Sequence, residues 1–156
     1  KGERHRNFQG YTTKGGADLI GVGLTSIGEG VDSYNQNFKV MKDYEEAIEA
    51  GKLPFARGIV LNEDDQIRQY VIMELMSNFK LDIRRFEKLF NIEFKTYFAD
   101  AIEALKPFAE EELLTMDDEH IECSETGTLL IRNICMPFDA YMKKHVANKK
   151  TFSKTV

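Results

Sequence analysis

Glycine is spread so unevenly along this chain that it divides the sequence in two. Eight of the eleven glycines fall within the first 36 residues, at positions 2, 10, 15, 16, 21, 23, 28 and 30. Glycine loses more backbone freedom on ordering than any other residue and offers no side chain to bury, so this stretch reads as strand and loop. Two runs within it, "NFQGYTT" (residues 7–13) and "LIGVGLTSI" (19–27), suit strands buried on one or both faces.

From about residue 37 the apolar spacing turns helical. In "NFKVMKDYEEAIEAG" Met41, Tyr44 and Ile48 share a stripe, and Gly51 closes the segment. "LPFARGIVL" then reads as a short extended connector. Asn62 is placed to cap the next helix, with Glu63, Asp64 and Asp65 at the positive end of its dipole. Ile67, Val71, Leu75 and Phe79 recur at intervals of four along it. Asp82 caps a second helix carrying Ile83, Phe86 and Phe90. A third runs from about Glu93 and aligns Phe94, Phe98, Ile102 and Leu105 until Pro107 disturbs it.

"LLTMDDEHIEC" (113–123) predicts a hairpin around an acidic turn. "SETGTLLIRNICMPFDAYMKK" returns to helix, with Leu130, Ile134, Phe138 and Tyr141 as its buried face and a kink at Pro137. The expected fold is therefore mainly α with a small β-hairpin, a winged-helix-like arrangement. Residues 37–156 form a helical domain able to fold alone, and residues 1–36 a separate strand-and-loop piece.

Little self-sufficient chemistry is visible. A formal charge of −5 gives no broad basic field for nucleic acid, and the mixed-sign helices make Arg84, Arg85 and Lys88 at most a small patch. No apolar run approaches the roughly eighteen residues of a membrane span, and the expected location is the cytoplasm. Cys123 and Cys135 are too few and too far apart for a thiolate metal site, and read as reduced structural thiols. His5, His120 and His145 show no paired spacing, so no metal site is expected. The acidic runs 110–112 and 117–119 read as solvated faces and a turn. "GVGLTSIG" departs from a dinucleotide loop because Ser26 stands where the third glycine belongs.

Three strings, "RNFQGYTT", "DLIGVGLTSIG" and "IRNICMPFDAY", resemble the C-terminal third of the oxygen-independent coproporphyrinogen III oxidase family. So does "FARGIVLNEDDQIRQYVIMELMSNF", and the resemblance covers essentially the whole chain. These are radical S-adenosylmethionine (SAM) enzymes of haem biosynthesis. The resemblance implies oxidative decarboxylation of two propionates of coproporphyrinogen III to vinyl groups, giving protoporphyrinogen IX. It implies a [4Fe-4S] cluster and SAM as cofactors of the whole enzyme, but the CxxxCxxC cluster motif is absent from this sequence. Residues 1–36 then correspond to the last elements of a truncated α/β barrel, and residues 37–156 to a domain covering its open side. The chain alone is expected to be inactive, with no catalytic residue of its own.

Carried over by position, the resemblance makes Phe8, Gln9 and Ile27 contacts to a second SAM. From the residues alone, Phe8 and Ile27 are equally readable as core. Arg4 and Arg6 suit the carboxylates of the substrate propionates, since a guanidinium fork matches a carboxylate. Arg132 and Asn133 read as structural, with Asp139 a candidate partner for Arg132. A related haem chaperone is the alternative function, and a winged-helix nucleic-acid binder the third. Without barrel neighbours, residues 1–36 are expected to be disordered, rearranged or paired with a second copy.

Overall fold

The computed structural model describes residues 4–7 and 10–142, which form mixed helix and strand in two compact units, Lys1–Ile67 and Arg68–Val156.

Unit one begins with β1 (His5–Asn7) and β2 (Gly10–Thr12), a short antiparallel pair in which His5 faces Thr12. Its main sheet joins β3 (Ile27–Glu29), β4 (Ser33–Asn37) and β5 (Phe55–Val60) in that order, all antiparallel. Helix α1 (Met41–Glu49) connects β4 to β5. The expected connector is thus a strand, with Tyr34 opposite Ile59 and Gln36 opposite Arg57. Because β5 pairs with β4, the compact division falls after Ile67 instead of near residue 36.

The run 19–27 is not a buried strand. Leu19 makes one bridge to Glu29 and Ile27 opens β3, while Ile20 and Val22 are 84% and 86% exposed. The cause is local: Gly23 (φ 95°) and Thr25 (φ 62°) adopt left-handed backbone, which turns the chain out of any ladder. Helix α1 forms where expected, and Gly51 (φ 68°) follows its end, but its residues Met41 and Ile48 are exposed.

Helix α2 (Glu63–Asn78) opens with a reciprocal cap. The Asp65 N–H donates to Asn62 Oδ1 at 2.9 Å, and the Asn62 N–H donates to Asp65 Oδ2 at 3.1 Å. Val71 and Leu75 are fully buried. Phe79 falls outside the helix, at φ 58°, because the chain turns there into β6 (Lys80–Asp82). With β7 (Leu114–Met116) and β8 (His120–Cys123), β6 extends the expected hairpin to a three-stranded sheet of order β6-β8-β7. Asp82 caps α3 (Ile83–Phe90) by accepting from the Arg85 N–H at 2.8 Å.

Two expected long helices are broken. The third is α4 (Phe94–Tyr97) and α5 (Ala99–Glu110), parted at Phe98, and Pro107 lies inside α5 without ending it. The last is α6 (Glu125–Leu129), α7 (Ile131–Cys135) and a 3-10 turn at Met136–Phe138, parted at Leu130. That break shifts the buried face: Ile131, Ile134, Cys135 and Phe138 are buried, whereas Leu130 and Tyr141 are exposed. Pro137 lies at the start of the tight turn, where its missing N–H has no helical partner to lose, so it does not kink a continuous helix. Asp139 Oδ1 accepts from the Tyr141 N–H at 2.8 Å, and among the described residues the suggested Arg132–Asp139 pair is not found.

The core of unit two is aromatic. Phe86, Phe94, Phe98 and Phe138 are all buried, with ring centroids 5.0 Å apart for Phe94–Phe98 and 5.2 Å for Phe86–Phe94 and Phe98–Phe138.

Gly127 closes α6 onto the sheet so tightly that a Cβ there would lie 1.8 Å from the Leu113 carbonyl oxygen. Gly127→Ala is expected to cost about 3 kcal/mol or more, as overpacking against backbone does. Gly51→Ala, with open space but left-handed backbone, is expected to cost about 1 kcal/mol. Urea unfolding of both variants checks this; equal losses would contradict the packing assignment.

Candidate functional site

The feature most unlike ordinary core lies in unit one, where the glycine-rich loop 20–26 meets the end of β4. The pairing of β4 with β5 shifts register between Gln36 and Asn37, a bulge that re-aims the next side chain. Asn37 is 2% exposed. Its amide Nδ2 donates to the Gly23 carbonyl at 2.8 Å and to Ser26 Oγ at 2.9 Å, with the Gly21 carbonyl at 3.4 Å. Ser26 Oγ donates in turn to the Gly23 carbonyl at 2.8 Å. Backbone bonds complete the frame: the Asn37 N–H to the Ser26 carbonyl, and the Thr25 N–H to the Phe38 carbonyl, both 2.9 Å. Ile27 leaves this loop as the first residue of β3 and is half-buried.

Of the residues assigned to a cofactor, Phe8 and Gln9 lie outside the described residues. Ile27 belongs to the β3-β4-β5 sheet, while Arg6 belongs to β1 in the other sheet. Arg6 holds its guanidinium over the Tyr11 ring, 5.5 Å from the centroid, and Arg4 is exposed. The structure therefore does not join Arg6 and Ile27 in one sheet. On β3, burial pushes the Glu29 carboxyl above its usual range, and a hydrogen bond from Tyr34 Oη at 3.3 Å partly opposes this. Asn37 was not evident from sequence as part of any site. Its only signal is an asparagine ending a strand beside a glycine-rich run.

A cluster site is not built here. Among the described residues no group of three or more His, Cys, Asp or Glu side chains could hold a metal ion. The two thiols are free, and both are held protonated by burial, Cys123 pushed up to about 11 and Cys135 to about 12. Two thiols do not supply the four thiolate ligands of an iron–sulfur cluster.

In unit two a recess of about 380 Å³ is lined by Ile83, Phe94, Ile102 and Met116, with Lys95 and Asp118. Both of its lysines are engaged in ion pairs, Lys95 with Asp118 and Lys106 with Glu103. The other acidic-turn residues are also engaged: Glu119 pairs with Arg84, and Asp117 Oδ1 accepts from the Glu119 and His120 N–H groups at 2.7 Å each. Those backbone bonds hold the Asp117 carboxyl below its usual range. The run 117–119 is a turn, as expected. No helix of the described residues is long and apolar enough to cross a membrane.

Comparison with known proteins gives one consistent set of matches. Residues 61–130 match the family model described as the HemN C-terminal domain. The oxygen-independent coproporphyrinogen III oxidase of Helicobacter pylori is 47% identical over the whole chain, which covers 34% of that protein. The enzyme of the same name from Escherichia coli is 42% identical, again over the whole chain and 34% of its own length. A solved structure of coproporphyrinogen III oxidase (HemN) from Escherichia coli, described as a radical SAM enzyme, superposes with a TM-score of 0.86 at 44% identity. That match covers 90% of this chain and 32% of the solved chain. The chain thus spans about a third of the length of the relatives it matches.

The raised thiols carry a sign. Their folded values lie above the unfolded one, so the folded chain keeps protons that the unfolded chain releases. Stability is expected to be full below the ordinary thiol range of about 8.5 and to fall as pH rises from there. Thiol labelling at pH 8 should be slow in the folded chain and fast in denaturant; rapid labelling of both thiols in the folded chain would contradict the assignment.

Proposed function

We propose that this chain, a member of the oxygen-independent coproporphyrinogen III oxidase family, serves as the C-terminal part of an enzyme that oxidatively decarboxylates two propionates of coproporphyrinogen III. The products are two vinyl groups, as in protoporphyrinogen IX. The observation that carries this reading is sequence similarity along the entire chain to proteins of that name, with similarity in fold over 90% of it. SAM reduced at a [4Fe-4S] cluster supplies the oxidising chemistry in such an enzyme. The cluster belongs to the longer protein, because two thiols are too few to hold it.

The contribution of this chain is to binding and enclosure. Ile27 presents a half-buried apolar side chain beside a glycine-rich loop, which suits one wall of an adenosyl group. Phe8 and Gln9 complete that second SAM site in our reading, Gln9 through an amide able to donate and accept. Arg4 and Arg6 meet substrate carboxylates. Residues 1–36 form the last elements of the barrel, and the helices with the β6-β8-β7 sheet act as a winged-helix-like cover. The exposed β5, α1 and Val22 support the view that further chain packs on unit one. A second copy is the alternative occupant. We place the enzyme in the cytoplasm. Haem transfer and nucleic-acid binding have no observation of their own in their favour.

The test uses a full-length protein containing this chain, reconstituted anaerobically with iron and sulfide. Supplied with coproporphyrinogen III, SAM and a reductant, it should release carbon dioxide and protoporphyrinogen IX. Ile27→Asp, which puts a charge against an apolar wall, should lower turnover about ten-fold or more. No turnover together with tight haem binding would overturn the reading.

A further inference from the structure

We propose that Asn37 is a positioning residue of the site formed at Ile27: it fixes the loop 20–26, and through it the entry of Ile27 into β3. The inference rests on the reading of Ile27 as one wall of a SAM site, and assigns a role to a residue that does not touch the ligand.

Three observations carry it. The first is the direction of the amide. Gly21 and Gly23 present carbonyl oxygens to Asn37, and a carbonyl only accepts, so the nitrogen must face them. The second is the cost the fold tolerates there. With Nδ2 committed to the loop, Asn37 Oδ1 is buried with no partner among the described residues. A buried orphan acceptor is unfavourable, and an apolar residue of similar size would avoid it. Retaining the amide makes sense if the loop needs its donors. The third is the bulge between Gln36 and Asn37, which breaks the register of β4 with β5 at this residue.

The loop itself requires such a clamp. Gly23 and Thr25 are both left-handed, and Thr25 has a β-branched side chain that disfavours that backbone. A Cβ at Gly21 would lie 2.7 Å from the Ile27 carbonyl, so the loop lies directly on the start of β3. Ser26 shares the network, taking one hydrogen bond from Asn37 and giving one to Gly23. A loop held this way has one conformation, and Ile27 one direction.

The test measures SAM bound per chain by equilibrium dialysis on a full-length, cluster-loaded protein containing this sequence, with melting temperature recorded alongside. Wild type is expected to bind two, and Ile27→Asp one. Asn37→Asp keeps the shape but turns a carboxylate on two carbonyls, and should weaken the second site about ten-fold or more while sparing the first. Ser26→Ala should weaken it by a smaller factor, and Ser26→Thr, which keeps the hydroxyl, should restore it. If Ile27→Asp loses the second SAM while Asn37→Asp and Ser26→Ala bind like wild type, Asn37 has no positioning role and the site reading survives. If wild type binds one SAM and Ile27→Asp changes nothing, both readings fall. Should Asn37→Asp fail to fold, the Ser26 pair decides: wild-type binding by Ser26→Ala overturns the proposal.

Discussion

Contact among four phenylalanine rings holds the larger part of this structure together. Phe86 comes from α3, Phe94 from α4, Phe98 from the joint between α4 and α5, and Phe138 from the last tight turn. Each is buried, and their rings meet in tilted and edge-on pairs. Such a buried ring contributes about 3–5 kcal/mol when judged by its removal. The ion pairs Lys80–Glu122 and Arg84–Glu119 are exposed and screened by solvent, and contribute far less. The cluster therefore decides where the helices sit, and the charges decorate it. Arg68 joins this core from α2, with its guanidinium 5.5 Å from the Phe98 ring centroid and a 3.0 Å hydrogen bond to the Phe138 carbonyl.

Unit one is built on a different principle. Among its described residues Pro54 and Ile67 have buried apolar side chains, while Ile20, Val22, Val31, Leu53 and Val60 are strongly exposed. What orders it is a polar frame: strand ladders, the Asn37 amide and the Ser26 hydroxyl. A chain segment with so little buried apolar surface gains little from folding alone. It is well suited to being one edge of a larger assembly, with its glycine-rich loop kept in shape by hydrogen bonds until further chain covers the exposed side chains.

How much of this was legible in the sequence follows from the range of the interactions involved. The caps at Asn62 and Asp82 and the turn at Asp117 rest on contacts within three residues, and all three were readable. The breaks at Phe98 and Leu130 were not, because both segments keep good helical spacing and part only where rings must reach the shared core. Strand β6 is three residues, Lys-Leu-Asp, too short to carry a pattern, and exists because β8 is there to pair with it. Strand β5 looked like a connector because, exposed along its length, it has no alternation of buried and open residues. Ile27 was named by resemblance and the arginines from carboxylate chemistry, and both stand as proposals; Asn37 could not be named, since a bulge and a loop 14–16 residues away in sequence give it its hydrogen bonds.

Unit two carries its own core, and unit one, on the reading proposed above, gains its order from further chain. Hydrogen exchange, measured on this chain alone and on a full-length protein containing it, tests that most directly. Amides of α2, α3 and α5 should be equally protected in both, whereas those of β3, β4 and β5 should be protected only in the full-length protein. Equal protection of the β3-β4-β5 sheet in both, or loss of protection in α3 and α5 of the chain alone, would contradict it.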